Sequence, residues 1–236
     1  MASELLRPGL LEGVSVFLAA AAPETAQPGA AGDEVAAAGD EVTAAVDEVT
    51  AAVESACVEL RARLWRWRAV VEAPEAEPSS SELAADEAVA GALAGAESIE
   101  VAVVDAASLF ARAACGDARD RRRDARAALM VSLEATWNIT RALVNVALLP
   151  KRAGGRIVYL APARGSHEHA DAARAGLENL ARTLSIEWAR YAITAVSIMP
   201  GRATSAVEVA ALVAYLASGA GAYFFGCRLD LGGPGG

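Results

Sequence analysis

Cysteine is scarce: Cys57, Cys115 and Cys227 lie far apart, with no Cys-x-x-Cys spacing among them. Neither a disulfide framework nor a thiolate metal cluster therefore organises the chain, and a reducing compartment is expected. Histidine is limited to His167 and His169, and lysine to Lys151. Two imidazoles flanking Glu168 in a short loop could meet zinc, but with no further histidine in the chain a solvated loop without metal is expected instead. Positive charge is in deficit. Twenty-one Lys and Arg against 30 Asp and Glu leave a net charge of -9 and a pI of about 4.8, a field that repels phosphates and excludes nucleic acid as a partner. No apolar run approaches a membrane span, and Glu4 and Arg7 precede Pro8-Gly9 where a signal peptide would be apolar. A cytoplasmic chain with no membrane partner is expected.

Apolar residues are abundant. At 236 residues and 54% hydrophobic, the chain can bury a substantial core, and 1–236 reads as a single domain. Its most legible stretch runs from Gly155 to Gly201. Arg156-Ile-Val-Tyr-Leu160 is a short apolar strand of the kind buried on both faces of a parallel sheet. A helix is expected from His169 to Tyr191, with Leu177, Leu180, Leu184 and Trp188 along one face. Ile193 to Ile198 returns as a second buried strand, closed by Met199-Pro200-Gly201. The unit is β-α-β.

These letters resemble the second half of the short-chain dehydrogenase/reductase family: Gly155-Arg-Ile-Val158, Arg174-Ala-Gly-Leu177, Pro200-Gly201 and the ending Leu231-Gly-Gly233. The likeness extends back to about Ile99 and is weaker over the first half. It implies a Rossmann-like, doubly wound parallel α/β sheet. The family's chemistry is hydride transfer with NAD or NADP, in which a Tyr exchanges the proton, a Lys holds the ribose, a Ser orients the carbonyl and an Asn supports a water relay. Carried onto this chain, the Tyr position falls on Ala170, the Lys on Arg174, the Ser on Pro162 and the Asn on Ser132. Alanine and proline have no proton to exchange, so general acid/base catalysis is expected to be lost. His169, one residue before Ala170, would be turned away by about 100° on a helix and reads as a surface or loop histidine.

The family's glycine-rich phosphate turn would follow a first strand at Val14 to Leu18. Its three glycine positions become Ala20, Glu24 and Ala26. Each Cβ stands where a pyrophosphate would come closest, and the Glu24 carboxylate would repel it by on the order of several kcal/mol. Asp105-Ala-Ala107 replaces the family's Asn-Asn-Ala-Gly. The dinucleotide crevice is thus expected to be filled in, and no cofactor is expected, with NAD or NADP kept as the alternative. The usual lid is absent too, since Arg202 to Ser205 leads straight into a helix over Ala206–Ser218.

Three near-copies of one heptad, Gly32–Ala38, Gly39–Ala45 and Val46–Ala52, place Val35, Val42 and Val49 on one stripe. A long helix over 28–62 is expected, and an expanded repeat lengthening the first helix of the domain accounts for it better than a coiled-coil partner does. Leu64 to Val71 alternates bulk with arginine and predicts a half-exposed edge strand. A Pro/Glu/Ser-rich loop at 72–81 and a helix to about Gly95 follow. The family usually has two strands between the first strand and Ile99. Only one is legible, so a βα unit is missing or fused into the long helix. Ile99 to Val104 is a buried strand, and a helix from Ala127 is expected to end at Pro150.

In the family, the helices that here carry Leu133 and Trp137, and Gly176, Leu177, Leu180, Leu184 and Trp188, form a four-helix bundle between subunits. Scaffold and docking letters survive while chemistry letters do not. The expectation is a non-catalytic subunit, a pseudoenzyme assembling with an active short-chain dehydrogenase/reductase paralogue as a heterodimer or heterotetramer. A divergent NAD(P)-dependent oxidoreductase and a homo-oligomeric scaffold are the alternatives.

Overall fold

A computed structural model describes residues 6–22, 34–69, 71, 82–114, 121–151 and 154–232, the side chains of 34–43, 82–84 and 121–124 excepted. Six parallel strands form one sheet in the order β2-β1-β3-β4-β5-β6. In chain order the elements are β1 (Ser15–Ala21), α1 (Glu34–Glu59), β2 (Arg63–Ala69), α2 (Glu82–Ala92), β3 (Val101–Val104), α3 (Ala106–Ala114) and α4 (Arg121–Leu143). They continue with α5 (Leu149–Lys151), β4 (Gly155–Leu160), α6 (Ala170–Glu187), β5 (Ile193–Met199), α7 (Ala206–Ala217) and β6 (Arg228–Asp230). This is the doubly wound α/β architecture expected. A single strand, β2, lies between β1 and β3 among the described residues, and it is an edge of the sheet, so the domain is one strand shorter than the family pattern.

Alternation along the central strands divides the core. Phe17, Ala19, Ala102, Val104, Ile157 and Tyr159 face one layer, where Val89 of α2, Ile139 and Leu143 of α4, and Leu177 of α6 meet them. Val16, Leu18, Val101, Val103, Val158 and Leu160 face the other, against Val53 and Cys57 of α1 and Val209 and Val213 of α7. Such two-faced burial is what continuous apolar strands require. On β2, Trp65 and Trp67 pack toward the first layer. Arg66 and Arg68 point across to Glu54 of α1, at 3.1 and 2.5 Å. The Trp/Arg alternation is the signature of a half-buried edge.

Several boundaries differ from expectation. Strand β1 runs three residues beyond Leu18, because Ala20 and Ala21 pair with Arg68 and Ala69 of β2. The helix of α4 does not stop at Pro150. It widens into a π turn at Val144–Leu148, with the Leu149 N–H donating to Val144 O, and passes through Pro150 to Lys151. Proline ejects the carbonyl four residues earlier, and a wide turn accommodates that loss without ending the helix. Helix α6 ends at Glu187, and a 3₁₀ turn carries Ala189–Tyr191. The long first helix is present as Glu34–Glu59. Its third heptad is docked: Val49 packs toward the core and Thr50 is buried. Val35 and Val42 fall where side chains are not described, and the loop at 72–80 with Ser81 lies outside the described residues.

The docking face needs correction. Leu177 and Leu184 are only 1% and 6% exposed, inside this chain's own structure. Leu180 and Trp188 pack against the same core, and a Cβ on Gly176 would lie 3.1 Å from Leu133 of α4 in the same chain. The four-residue spacing on α6 thus reports packing onto the sheet. What the helix pair leaves outside is Met130 and Trp137 on α4 and Ile186 on α6, which are 60%, 36% and 71% exposed. No described helix is long and apolar enough to cross a membrane.

Candidate functional site

In an open parallel sheet, ligands bind beyond the carboxyl ends of the strands, near the point where strand order reverses. Here that point lies between β1 and β3. Asp105, directly after β3, is fully buried there. Its Oδ1 accepts from the Ser108 N–H at 3.0 Å and its Oδ2 from the Thr50 hydroxyl of α1 at 2.5 Å. Ser108 Oγ donates to Asp105 O at 2.8 Å and accepts the Ala21 N–H at 2.9 Å. Burial raises the Asp105 carboxyl to about 6, the hydrogen bonds from Thr50 and Ser108 opposing it. The residue replacing the family's asparagine therefore ties α1, α3 and the end of β1 together.

That tie bears on the cofactor. Ala20, the first glycine position, is fully buried within β1. The Ala21 N–H is held by Ser108, and the Ala22 N–H donates to Ala69 O at 2.7 Å. A pyrophosphate turn works by presenting free backbone N–H groups, and these are committed to the sheet and to Ser108. Glu24 and Ala26 lie outside the described residues.

The other family positions can be placed one by one. Ala170 opens α6 and is 1% exposed. Pro162, also buried, follows β4. Ser132 on α4 gives its hydroxyl to Leu129 O at 3.0 Å. Arg174, 7% exposed, donates through Nη1 to Pro162 O at 2.8 Å and to Pro200 O at 2.7 Å. Burial lowers its pKa, with Asp230 the largest opposing influence. The guanidinium is thus a brace between the loops after β4 and β5. It borders a depression of about 340 Å³ that also includes Arg164, Asp171, Glu178, Arg228 and Asp230. Signs alternate there: Arg228 meets Glu178 at 3.1 Å and Asp230 at 3.3 Å. The chain's buried tyrosine at 159 is no substitute for Ala170. Its hydroxyl is 3.1 Å from Thr140 Oγ1, it packs toward α4, and burial raises its pKa further. At Ala170, Pro162 and Arg174, therefore, the described residues offer no hydroxyl for proton transfer and no lysine to hold a ribose.

The crevice itself is not filled in, contrary to expectation. A cavity of about 480 Å³ opens beyond β4 and β5. Val46 and Val49 of α1 form one wall, Ala107 and Phe110 of α3 another, and Leu160 with Pro162 a third. Pro200 and Arg202 close it on the β5 side, where α7 begins at Ala206 with no intervening lid. His169 is the residue before α6 at φ 64°, 38% exposed in its side chain, as a loop histidine should be. His167 departs from the solvated loop expected of it. It lines the cavity, stands edge-on to Phe110 with ring centroids 5.8 Å apart, and has its pKa lowered by burial. Only Phe110, far away in sequence, could have signalled that. No cluster of three or more metal-binding side chains occurs among the described residues.

This arrangement, a parallel sheet in the order found with α1 and α3 flanking a crevice beyond β4 and β5, is a Rossmann-like doubly wound fold. Solved structures similar to the chain include a citronellol catabolism dehydrogenase of Pseudomonas aeruginosa PAO1, with TM-score 0.62, 19% identity and coverage of 97% of this chain and 98% of that one. A short-chain dehydrogenase/reductase of Serratia marcescens, in a doubly substituted form, gives TM-score 0.61 at 17% identity over 94% and 98% of the two chains. A hydroxysteroid dehydrogenase of Escherichia coli gives 0.59 at 14% over 96% and 99%. No protein-family model matches the sequence, and no curated protein matches it. At these identities the likeness defines the fold.

Proposed function

We propose that the chain is a non-catalytic subunit of an oxidoreductase complex, which assembles with a catalytically active short-chain dehydrogenase/reductase as a heterodimer or heterotetramer. One observation carries the reading: at the positions where the family moves a proton and holds the ribose stand a buried alanine, Ala170, a proline, Pro162, and an arginine, Arg174, whose Nη1 donates to two backbone carbonyls. Removing general acid/base groups alone forfeits ~10²–10⁴-fold in rate. Both faces of the sheet are meanwhile covered by packed apolar layers, and Met130, Trp137 and Ile186 leave apolar surface outside on the helix pair the family uses for association.

Coexpression of the tagged chain with each short-chain dehydrogenase/reductase of the same organism that keeps a Tyr-x-x-x-Lys motif tests this. The reading expects a stable mixed oligomer that Trp137→Asp disperses while each chain stays folded. A chain that elutes by itself, as monomer or homo-oligomer, with every such dehydrogenase present would overturn it; the homo-oligomer result would favour a scaffold role.

A second reading, a divergent NAD(P)-dependent oxidoreductase, draws on the fold of its structural neighbours and on the open cavity that His167 borders. It requires cofactor binding, which at a hundred times Kd stabilises a protein by about 2.7 kcal/mol. A thermal shift of that size with NADH or NADPH would favour it.

A further inference from the structure

The cavity beyond β4 and β5 has a definite chemical character. Its volume of about 480 Å³ lies within the range of small-molecule sites, and valine, leucine, phenylalanine and proline supply its walls. Its polar residues gather where the loops after two neighbouring parallel strands meet. His167 and Ser166 come from the loop after β4, and Arg202 from the loop after β5. The Arg202 guanidinium lies over Gly165, where an added Cβ would come 2.6 Å from Nη2. It makes no ion pair among the described residues. Ser166 Oγ and His167 Nδ1 are enclosed without hydrogen-bond partners, and burial lowers the pKa of the imidazole.

We propose that this cavity is a binding site for a small monocarboxylate with an apolar tail, the carboxylate meeting Arg202 where the loops after β4 and β5 border the cavity, and the tail lying against Val46, Val49 and Phe110. A single anionic end is what the charges allow. Arg202 offers the positive charge, whereas Glu48 also borders the cavity and would repel a polyanion such as a dinucleotide. The third heptad of α1 acquires a purpose in this arrangement, since Val46 and Val49 are its wall.

Calorimetric titration of the purified chain with octanoate, and separately with octanol as the uncharged tail, tests the proposal. The expected result is saturable 1:1 binding of octanoate, with octanol weaker by tenfold or more. Arg202→Ala, at an exposed position that leaves folding intact, should weaken octanoate roughly tenfold, the scale of one charge-assisted hydrogen bond, and leave octanol unchanged. Ala163→Trp, which places a large ring on the cavity wall, should abolish both. Absence of saturable octanoate binding, equal affinity for octanol, or indifference to Arg202→Ala would overturn it. None of these outcomes bears on the subunit role, which the coexpression experiment tests separately.

Discussion

Two residues hold the ends of the strands in place, and both stand at positions the resemblance assigned to cofactor chemistry. Asp105 is pushed up to about 6 from an ordinary 3.8 by burial. The folded state therefore binds its proton more tightly than the unfolded one. This contribution to stability is fully present below the unfolded pKa and is lost as pH rises through about 6. Asp105→Asn keeps the shape and removes the charge. The stability of the variant relative to the parent should thus increase between pH 4.5 and 7.5 by on the order of 2 kcal/mol, measured by urea denaturation at each pH. Arg174→Ala leaves the carbonyls of Pro162 and Pro200 buried without a donor, and should cost about 3 kcal/mol, with Arg174→Lys recovering part of it. A neutral result in denaturant would mean that water replaces the guanidinium and that the brace is incidental. At this scale the sequence was legible in a negative sense. Ala170 and Pro162 could be read as lost chemistry from their side chains alone, because no environment gives an alanine a proton. The positive roles of Asp105 and Arg174 were not legible, because a brace is defined by the carbonyls and hydroxyls it reaches across the fold.

At the scale of elements, most of the chain follows its pattern. Helix α7 starts where Ser205 and Glu208 form a reciprocal capping box, the Ser205 hydroxyl accepting from the Glu208 N–H and the Glu208 carboxylate from the Ser205 N–H. Ser205→Ala should cost about 1 kcal/mol, read as a lowered melting temperature. The elements that departed from expectation did so for identifiable reasons. Ala19 to Ala22 carries neither turn residues nor β-branched bulk, so nothing local says whether the strand continues; pairing with Arg68 and Ala69 decides it. Pro150 is a stop signal in an ordinary α-helix but is accommodated by the π turn before it. The resemblance implies that the leucines of α6 dock on another subunit, and their periodicity identifies a buried face without saying what buries it. In this chain the sheet does so, and Leu177 and Leu184 are enclosed.

For the whole molecule, these residues and elements amount to a Rossmann-like parallel sheet with two well-packed core layers and an open apolar cavity beyond β4 and β5. The parallel order of the six strands follows from continuous apolar strands alternating with amphipathic helices, a pattern decided by many residues at once and hence readable. The crevice depends on a handful of positions and on what surrounds them, and there the expectation of a filled site gave way to an open apolar cavity. Of the positions the resemblance assigns to chemistry, Pro162 borders that cavity, whereas Ala170 is enclosed away from it. The most direct measurement is an equilibrium titration of the purified chain with NADPH and NADH, followed by fluorescence or calorimetry. With the N–H groups of Ala21 and Ala22 committed and Arg174 turned to backbone carbonyls, the account predicts no saturable binding up to about 1 mM, an interaction weaker than about 4 kcal/mol. Saturable binding in the micromolar range, abolished by Arg174→Ala, would contradict it.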